Sequence, residues 1–316
     1  MLRRVTFSPT TCRRLAWAAL VVLVLIVFSG AGVRLTGSGL GCPDWPRCHG
    51  GFTPELDSHV AIEYGNRLLS SLVGLVTIAA GVAALRRRPF RTDLVVPGSI
   101  VMIGVVAQGV LGGITVLLDL EWQVVIAHYL LSMALIAAAA VLVWRQRSES
   151  PASPPATERW VWLATRVLVV YGALVIVAGT FATAAGPHAG GAGTGDVVAR
   201  LDAWGAGTLK TVIHLHGHMA AALGFLSVAL WLAAWWRGAG RELRAGLTAL
   251  CVGVALQGVI GLVQYHNALP AGVVWVHASL GALLWLSLMW CWLGAGRPAP
   301  ERAVAAQRAE AARAAM

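Results

Sequence analysis

Gln108-Gly109-Val110-Leu111-Gly112 returns 149 residues later as Gln257-Gly258-Val259-Ile260-Gly261. Working outward at the same offset, Ala127-His128 with Leu131-Ser132 returns as Val276-His277 with Leu280-Gly281, and Gly30 returns as Gly179. Each copy carries four long apolar segments. Four is even, so both copies run the same way across any layer they cross. The chain therefore reads as one unit present twice, and two four-helix bundles related by a pseudo-two-fold axis are the expected architecture. The steps Gly109/Gly112/Gly113 and Gly258/Gly261 suit close helix packing inside such bundles.

The composition names the solvent. Of 316 residues, 58% are hydrophobic and 12% charged, with mean hydropathy +0.72. Soluble domains carry about a quarter charged residues. A soluble enzyme and a disordered chain are both excluded, and five scattered cysteines make no disulfide scaffold. Eight stretches can cross a hydrocarbon core of about 30 Å. They lie near 15–33, 61–85, 95–117, 122–144, 162–184, 210–236, 245–265 and 272–293. The first is too long for a signal peptide, lacks a clear Ala-x-Ala site and has seven spans after it. The expected fold is an all-α polytopic membrane protein with eight transmembrane helices. Its first bundle covers 1–147, a Pro/Ser-rich linker 148–160, the second bundle 161–296 and a tail 297–316.

If the spans alternate, nineteen of the 24 basic residues fall on one side. They are Arg3, Arg4, Arg13 and Arg14; Arg86, Arg87, Arg88 and Arg91; Arg145, Arg147, Arg159 and Arg166; Arg237, Arg241 and Arg244; and Arg297, Arg302, Arg308 and Arg313. The positive-inside rule makes both termini cytoplasmic in a cell-membrane protein. The net charge of +10 is a topology signal and not a nucleic-acid footprint. Trp45, Trp122, Trp204 and Trp275 mark the outer interface; Trp17, Trp144, Trp160, Trp235, Trp236, Trp290 and Trp292 mark the inner one.

Three of the nine histidines lie inside spans at one depth: His128, His216 and His277. Each sits about five or six residues from the outer end, roughly 8–9 Å down. Asn66 holds the matching place in the second span. A histidine in a span can be a buried residue bonded to a neighbouring helix. Ligation is favoured because intramembrane ionisable groups are costly, and because both halves put a ring at the same depth. Imidazole binds iron well, and bundles hold haem between opposed helices. His216 and His277 are the candidate haem ligands, and attachment is non-covalent because no Cys-x-x-Cys-His occurs. In His214-Leu215-His216-Gly217-His218, positions two apart differ by about 200°. The three cannot share a site. Alignment with Asn66 makes His216 first choice and His218 second, and leaves His214 toward the interface.

Glu63 and Asn66 share a helix face. Glu63 and Arg67, at i,i+4, fit a plain ion pair; alternatively Glu63 points into the first bundle near His128 and handles protons. Between Cys42 and Cys48 lie five residues of an outer loop, a spacing best read as a disulfide. A metal site with His49 and a redox role for the pair stay open. Arg34, Arg47, Arg67 and Lys210 are outer cations that could meet haem propionates or merely snorkel.

These residues resemble the haem A synthases. The resemblance runs from Gly30 to the eighth span. It rests on Val33-Arg34-Leu35-Thr36-Gly37-Ser38-Gly39-Leu40-Gly41-Cys42-Pro43-Asp44-Trp45-Pro46, Glu63-Tyr64-x-x-Arg67, Gln108 to Thr115, Gly186-Pro187-His188-Ala189-Gly190 and the pair His128/His277. It implies oxidation of the C8 methyl of haem O to a formyl group by successive hydroxylations, yielding haem A for cytochrome oxidase. It implies haem b between His216 and His277, substrate haem near His128 and Glu63, and a Cys42–Cys48 disulfide beside the substrate. The family's Glu-x-x-His-Arg motif has Asn66 at its histidine position here. That leaves His128 as sole protein ligand of the substrate iron or Asn66 as a weak sixth partner. The 185–209 loop also lacks the cysteine pair of some members. Expected partners are an electron donor feeding the second-bundle haem, a haem O synthase and oxidase assembly factors; homo-oligomerisation stays open. The rival functions are a di-haem electron carrier of the cytochrome b kind and a haem transporter or chaperone.

Overall fold

The computed structural model describes residues 5–55, 57–149, 156–300, 302–304 and 306. Arg3, Arg4, Arg308, Arg313 and residues 150–155 of the expected linker lie outside the described residues. All eight expected spans are helices: α1 (Pro9–Leu35), α2 (Ser58–Leu85), α3 (Val95–Leu117), α4 (Trp122–Arg145), α5 (Arg159–Ala185), α6 (Thr208–Trp236), α7 (Arg241–His266) and α8 (Ala271–Gly294). Each is long and apolar enough to cross a membrane. The protein is a predominantly helical, multi-pass membrane protein. Apolarity underestimates α1 and α7, whose first turns contain charged or polar residues. Ser8 caps α1, its Oγ accepting from Thr11 N–H, with Pro9 in the first turn. Asp57 caps α2 by accepting from His59 and Val60 N–H at 2.8 and 2.9 Å.

In the first half α1 packs on α2 and α4, and α3 closes the ring between them; α5 to α8 repeat this arrangement. The bundles meet along α1, α4 and α8, with α4 also touching α5. Trp285 Nε1 donates to the Met133 carbonyl at 2.8 Å, and Trp275 Nε1 to that of Phe28 at 2.9 Å, both across this seam. Each bundle has its own apolar core, the first around Leu135, Ile136, Ala139 and Leu142, the second around Leu243, Leu247, Leu250 and Leu288. Large apolar side chains also point outward, as at Leu75 (69% exposed) and Phe225 (79%). Water would penalise such a surface, whereas hydrocarbon accepts it.

The duplication reaches into backbone detail. Between α3 and α4, Asp119 and Leu120 adopt φ of 49° and 61°; between α7 and α8, Ala268 and Leu269 adopt 56° and 60°. These are the same positions at the 149-residue offset. Leu120 N–H donates to Thr115 and Leu269 N–H to Gln264, again a matched pair. Two successive non-glycine residues in the left-handed region are uncommon, so this hairpin is a shared device.

At the Arg-rich end the structure adds what periodicity does not show. Ala156–Glu158 (β1), from the expected linker, pairs in parallel with Arg297–Ala299 (β2), from the expected tail. Arg147 reaches Glu242 across the halves at 3.1 Å, a surface pair of small energetic weight.

Candidate functional site

The four equivalent helices α2, α4, α6 and α8 begin at the end of the bundles that carries the disulfide loop. His128 and His277 are each the seventh residue of their helix. Asn66 and His216 are each the ninth. Counted from the actual helix starts, the two halves thus agree residue for residue.

In the second bundle the His216 and His277 rings face one another, centroids 6.2 Å apart and planes at 79°. A metal held between two imidazole nitrogens, with bonds of about 2 Å and ring radii of about 1.1 Å, sets centroids about 6 Å apart. His216 Nδ1–H donates to the Val175 carbonyl at 3.1 Å. That bond assigns the tautomer and leaves Nε2 as the free base, as in ligating histidines. The buried Nδ1 of His277 has no protein partner among the described residues. Two half-buried imidazoles at this spacing could together hold one haem iron. His214 and His218 are exposed; their rings lie 6.3 Å apart, and His214 Nε2 is 3.1 Å from Tyr265 Oη. His216 is thus the member of the triplet that faces His277.

His128 repeats the surroundings of His277. Gln108 Nε2–H donates to the His128 carbonyl at 2.9 Å, and Gln257 Nε2–H to the His277 carbonyl at 3.0 Å. Gln108 Nε2 also lies 3.3 Å from His128 Nε2 and donates to Ser132 Oγ at 2.7 Å. Both rings rest on a glycine: a Cβ on Gly112 would lie 3.0 Å from His128 Cε1, and one on Gly261 would lie 3.6 Å from His277 Cε1. Both glutamines keep a buried Oε1 without a partner among the described residues. The sequence repeat contains these glutamines without revealing their role; a shared 20-residue spacing to each histidine was the available signal. Tyr129, next to His128, was also missed. Its hydroxyl would lie 3.7 Å from a Cβ on Gly281, as would Gln257 Nε2, so it reaches across the seam toward the second site.

Above α2 sits the first loop, closed by the Cys42–Cys48 disulfide, both cysteines buried. His49 Nε2–H donates to the Gly41 carbonyl at 2.9 Å, and no metal-binding cluster of three or more His, Cys, Asp or Glu occurs among the described residues. Glu63 is 4% exposed. Its Oε2 accepts from Cys42 N–H at 2.7 Å and its Oε1 from Arg67 Nη2 at 2.6 Å. The ion pair and the buried placement therefore coexist. Arg67 also donates to the carbonyls of Cys42, Asp44 and Arg47 at 2.7–2.8 Å, and through Nε to Glu63 at 3.2 Å. All five of its N–H donors are engaged. In this conformation Arg67 clamps the disulfide loop and has none left for a propionate. Asp44 accepts from His49 and Gly50 N–H at 2.7 and 2.8 Å. The Gly50 amide above all, then that of His49, holds its carboxyl below the usual range. Trp45 packs flat on Gly113 of α3, where a Cβ would come within 2.5 Å of the ring.

The 186–207 segment of the second half leans over this loop. Arg34 Nη1 donates to the His188 carbonyl at 2.6 Å, His188 Nε2–H to that of Leu269 at 2.7 Å, and Gly39 N–H to that of Gly190 at 2.8 Å. Arg34 is thus tied to protein, not free at the surface.

With this geometry in hand, comparison with known proteins is specific. A profile of the family described as cytochrome oxidase assembly protein matches residues 13–193, from α1 through the second-half loop. The chain belongs to that family. Curated relatives carry the name haem A synthase. One from Symbiobacterium thermophilum is 32% identical over 181 residues, covering 54% of this chain and 58% of the relative. One from Lysinibacillus sphaericus is 33% identical over 136 residues, covering 42% and 44%. One from Bacillus pumilus is 32% identical over 142 residues, covering 42% and 46%. The chain thus spans about half the length of the curated relatives it matches. The family match takes in Glu63, Asn66, Arg67, His128 and the disulfide; His216 and His277 lie beyond it.

Proposed function

We propose that this protein is a haem A synthase, oxidising the C8 methyl of haem O to a formyl group and so supplying haem A to cytochrome oxidase. The observation that carries the reading is that the imidazoles of both bundles lie at one end, beside the disulfide loop. That suits a substrate site next to a cofactor site. An electron carrier that spans the membrane would stage its haems toward both faces. Family membership and the relatives' name point the same way.

His216 and His277 hold haem b in the second bundle, and such a haem supplies one-electron transfer. The Val175 carbonyl fixes the His216 tautomer, and Gln257 anchors the backbone of His277. In the first bundle His128 receives haem O. Arg67 and the Cys42 amide hold Glu63 immobile at the loop–helix junction, placed to accept or return a proton. The methyl is hydroxylated twice, each time with one atom of dioxygen inserted and the other leaving as water, the two electrons and two protons coming from an external reductant. Loss of water from the geminal diol leaves the aldehyde. The Arg-rich end faces the cytoplasm and the disulfide end the outside of the cell membrane, where a disulfide persists. A haem O synthase is the natural donor of substrate.

The test is liquid chromatography of haems extracted from cells expressing this chain with a haem O source. Appearance of haem A supports the reading. Unchanged haem O with two redox-active haems retained on the protein marks an electron carrier. Unchanged haem O with haem released to an acceptor marks a transporter. Either of the last two outcomes overturns the proposal.

A further inference from the structure

The two halves match at His128 and His277 and part at the other member of each pair. In the second half His216 nests on Gly179, its Cε1 3.0 Å from where a Cβ would stand. The equivalent residues of the first half are Asn66 and Gly30. Beyond its own helix turn, no atom of the described residues lies within 4 Å of the position a Cβ on Gly30 would take. Asn66 does not reach out to replace the missing ring. Its Oδ1 accepts from Ser29 Oγ at 2.8 Å, and Ser29 stands where the second half has Ala178. The oxygen is the metal-binding atom of a carboxamide; the nitrogen offers only N–H donors. Asn66 is therefore tied back by α1 through the one atom with which it could ligate.

We propose that the first-half site holds its iron porphyrin through His128 alone, and that the face formed by Gly30, Ser29 and Asn66 leaves the opposite axial position open to a small exogenous ligand. The inference rests on the haem-binding reading above and deepens it. One duplicated scaffold then holds a six-coordinate haem in one half and a five-coordinate haem in the other, the difference that separates electron transfer from small-ligand chemistry. Ser29 is a positioning residue in this scheme, acting through Asn66.

The test uses the whole protein, purified and loaded with haem b and haem O, and reads electron paramagnetic resonance of the ferric form and carbon monoxide binding of the ferrous form. The expected wild-type result is a high-spin and a low-spin signal, with carbon monoxide taken up by one haem only. Asn66→His combined with Ser29→Ala restores the residue pair of the second half; it should convert the high-spin signal to low-spin and abolish carbon monoxide uptake. Asn66→Ala should keep both wild-type signatures. The inference is overturned if wild type shows two low-spin haems inert to carbon monoxide, if Asn66→Ala changes the spin state, or if the double variant binds carbon monoxide as wild type does. Failure of the underlying reading looks different: a protein that takes up no second porphyrin from haem O in excess has no substrate site in its first half.

Discussion

His216 and Asn66 occupy the same step of equivalent helices, yet one faces a second imidazole and the other is bonded back to its neighbour helix. Around them the halves are close copies, down to paired left-handed residues in the α3–α4 and α7–α8 hairpins and a glutamine under each of His128 and His277. The loops diverge as the side chains do. The first loop is cross-linked and pinned by Arg67; the second-half loop, without cysteines, folds over it. Duplication here preserved the backbone and the depth of the site, and differentiated the side chains that decide what each site holds.

The largest effect should come from removing what the second half has and the first lacks. His277→Ala should eliminate the bis-imidazole low-spin spectrum and haem A formation with it. Losing an outer partner of a ligating histidine costs about 10–100-fold in metal affinity, and losing the ligand itself should cost more. A normal low-spin spectrum in the variant would remove His277 from the cofactor site.

The converse probe is Glu63→Gln, confined to the first half. Glutamine keeps one oxygen, enough for either the Cys42 amide or Arg67 but not both, while Arg67 retains its three loop carbonyls and the disulfide still closes the loop. Haem A formation should fall by about 10²–10⁴-fold, the usual weight of a positioned acid–base group, while the haem b spectrum stays unchanged. Full haem A yield would end the proton-handling role.

A milder comparison sets Gly179→Ala against Gly30→Ala. The first places a methyl 3.0 Å from His216 Cε1, so the ring must shift. Haem b affinity should drop about 10-fold, the low end for a disturbed ligand partner. The second meets no atom of the described residues beyond its own helix turn and should alter stability by no more than about 0.5 kcal/mol. Haem titration and thermal unfolding in detergent check both. Equal effects would mean that the two glycines serve the same purpose and that the halves are less differentiated than their contacts imply.

The spans, the repeat and the packing of the His216 ring, rather than its neighbours', against His277 were legible because they depend on local apolarity, offset and helix angle. The disulfide was legible from a short loop spacing. The engagement of Arg67 was not: an i,i+4 carboxylate explains one partner, while its three loop carbonyls come from 20 to 25 residues away. The bond from Arg34 to His188 spans 154 residues and joins the last turn of α1 to an irregular segment, which no periodicity encodes. The parallel pairing of 156–158 with 297–299 was hidden for the same reason, since each strand is too short to show an alternation. Apolar pattern reveals helices facing lipid; it is blind to polar loops that acquire partners only after the bundles meet.

The smallest effect concerns the loop that sets the first half apart. Asp44 is a half-buried carboxylate held by the amides of Gly50 and His49, and its folded pKa lies below the usual value of about 3.9. Folding therefore favours the ionised form. Its contribution is fully present above the unfolded value and is lost as pH falls through the lower folded one. Between pH 5 and 8 Asp44 should give no pH dependence. Asp44→Asn keeps one amide acceptor but not two charged ones, so the Gly50 or His49 amide should exchange faster with solvent at neutral pH, with haem b binding in the second half untouched. Hydrogen exchange of the 42–50 segment measures this directly. Protection in Asp44→Asn equal to wild type would show that the disulfide and Arg67 alone hold the loop.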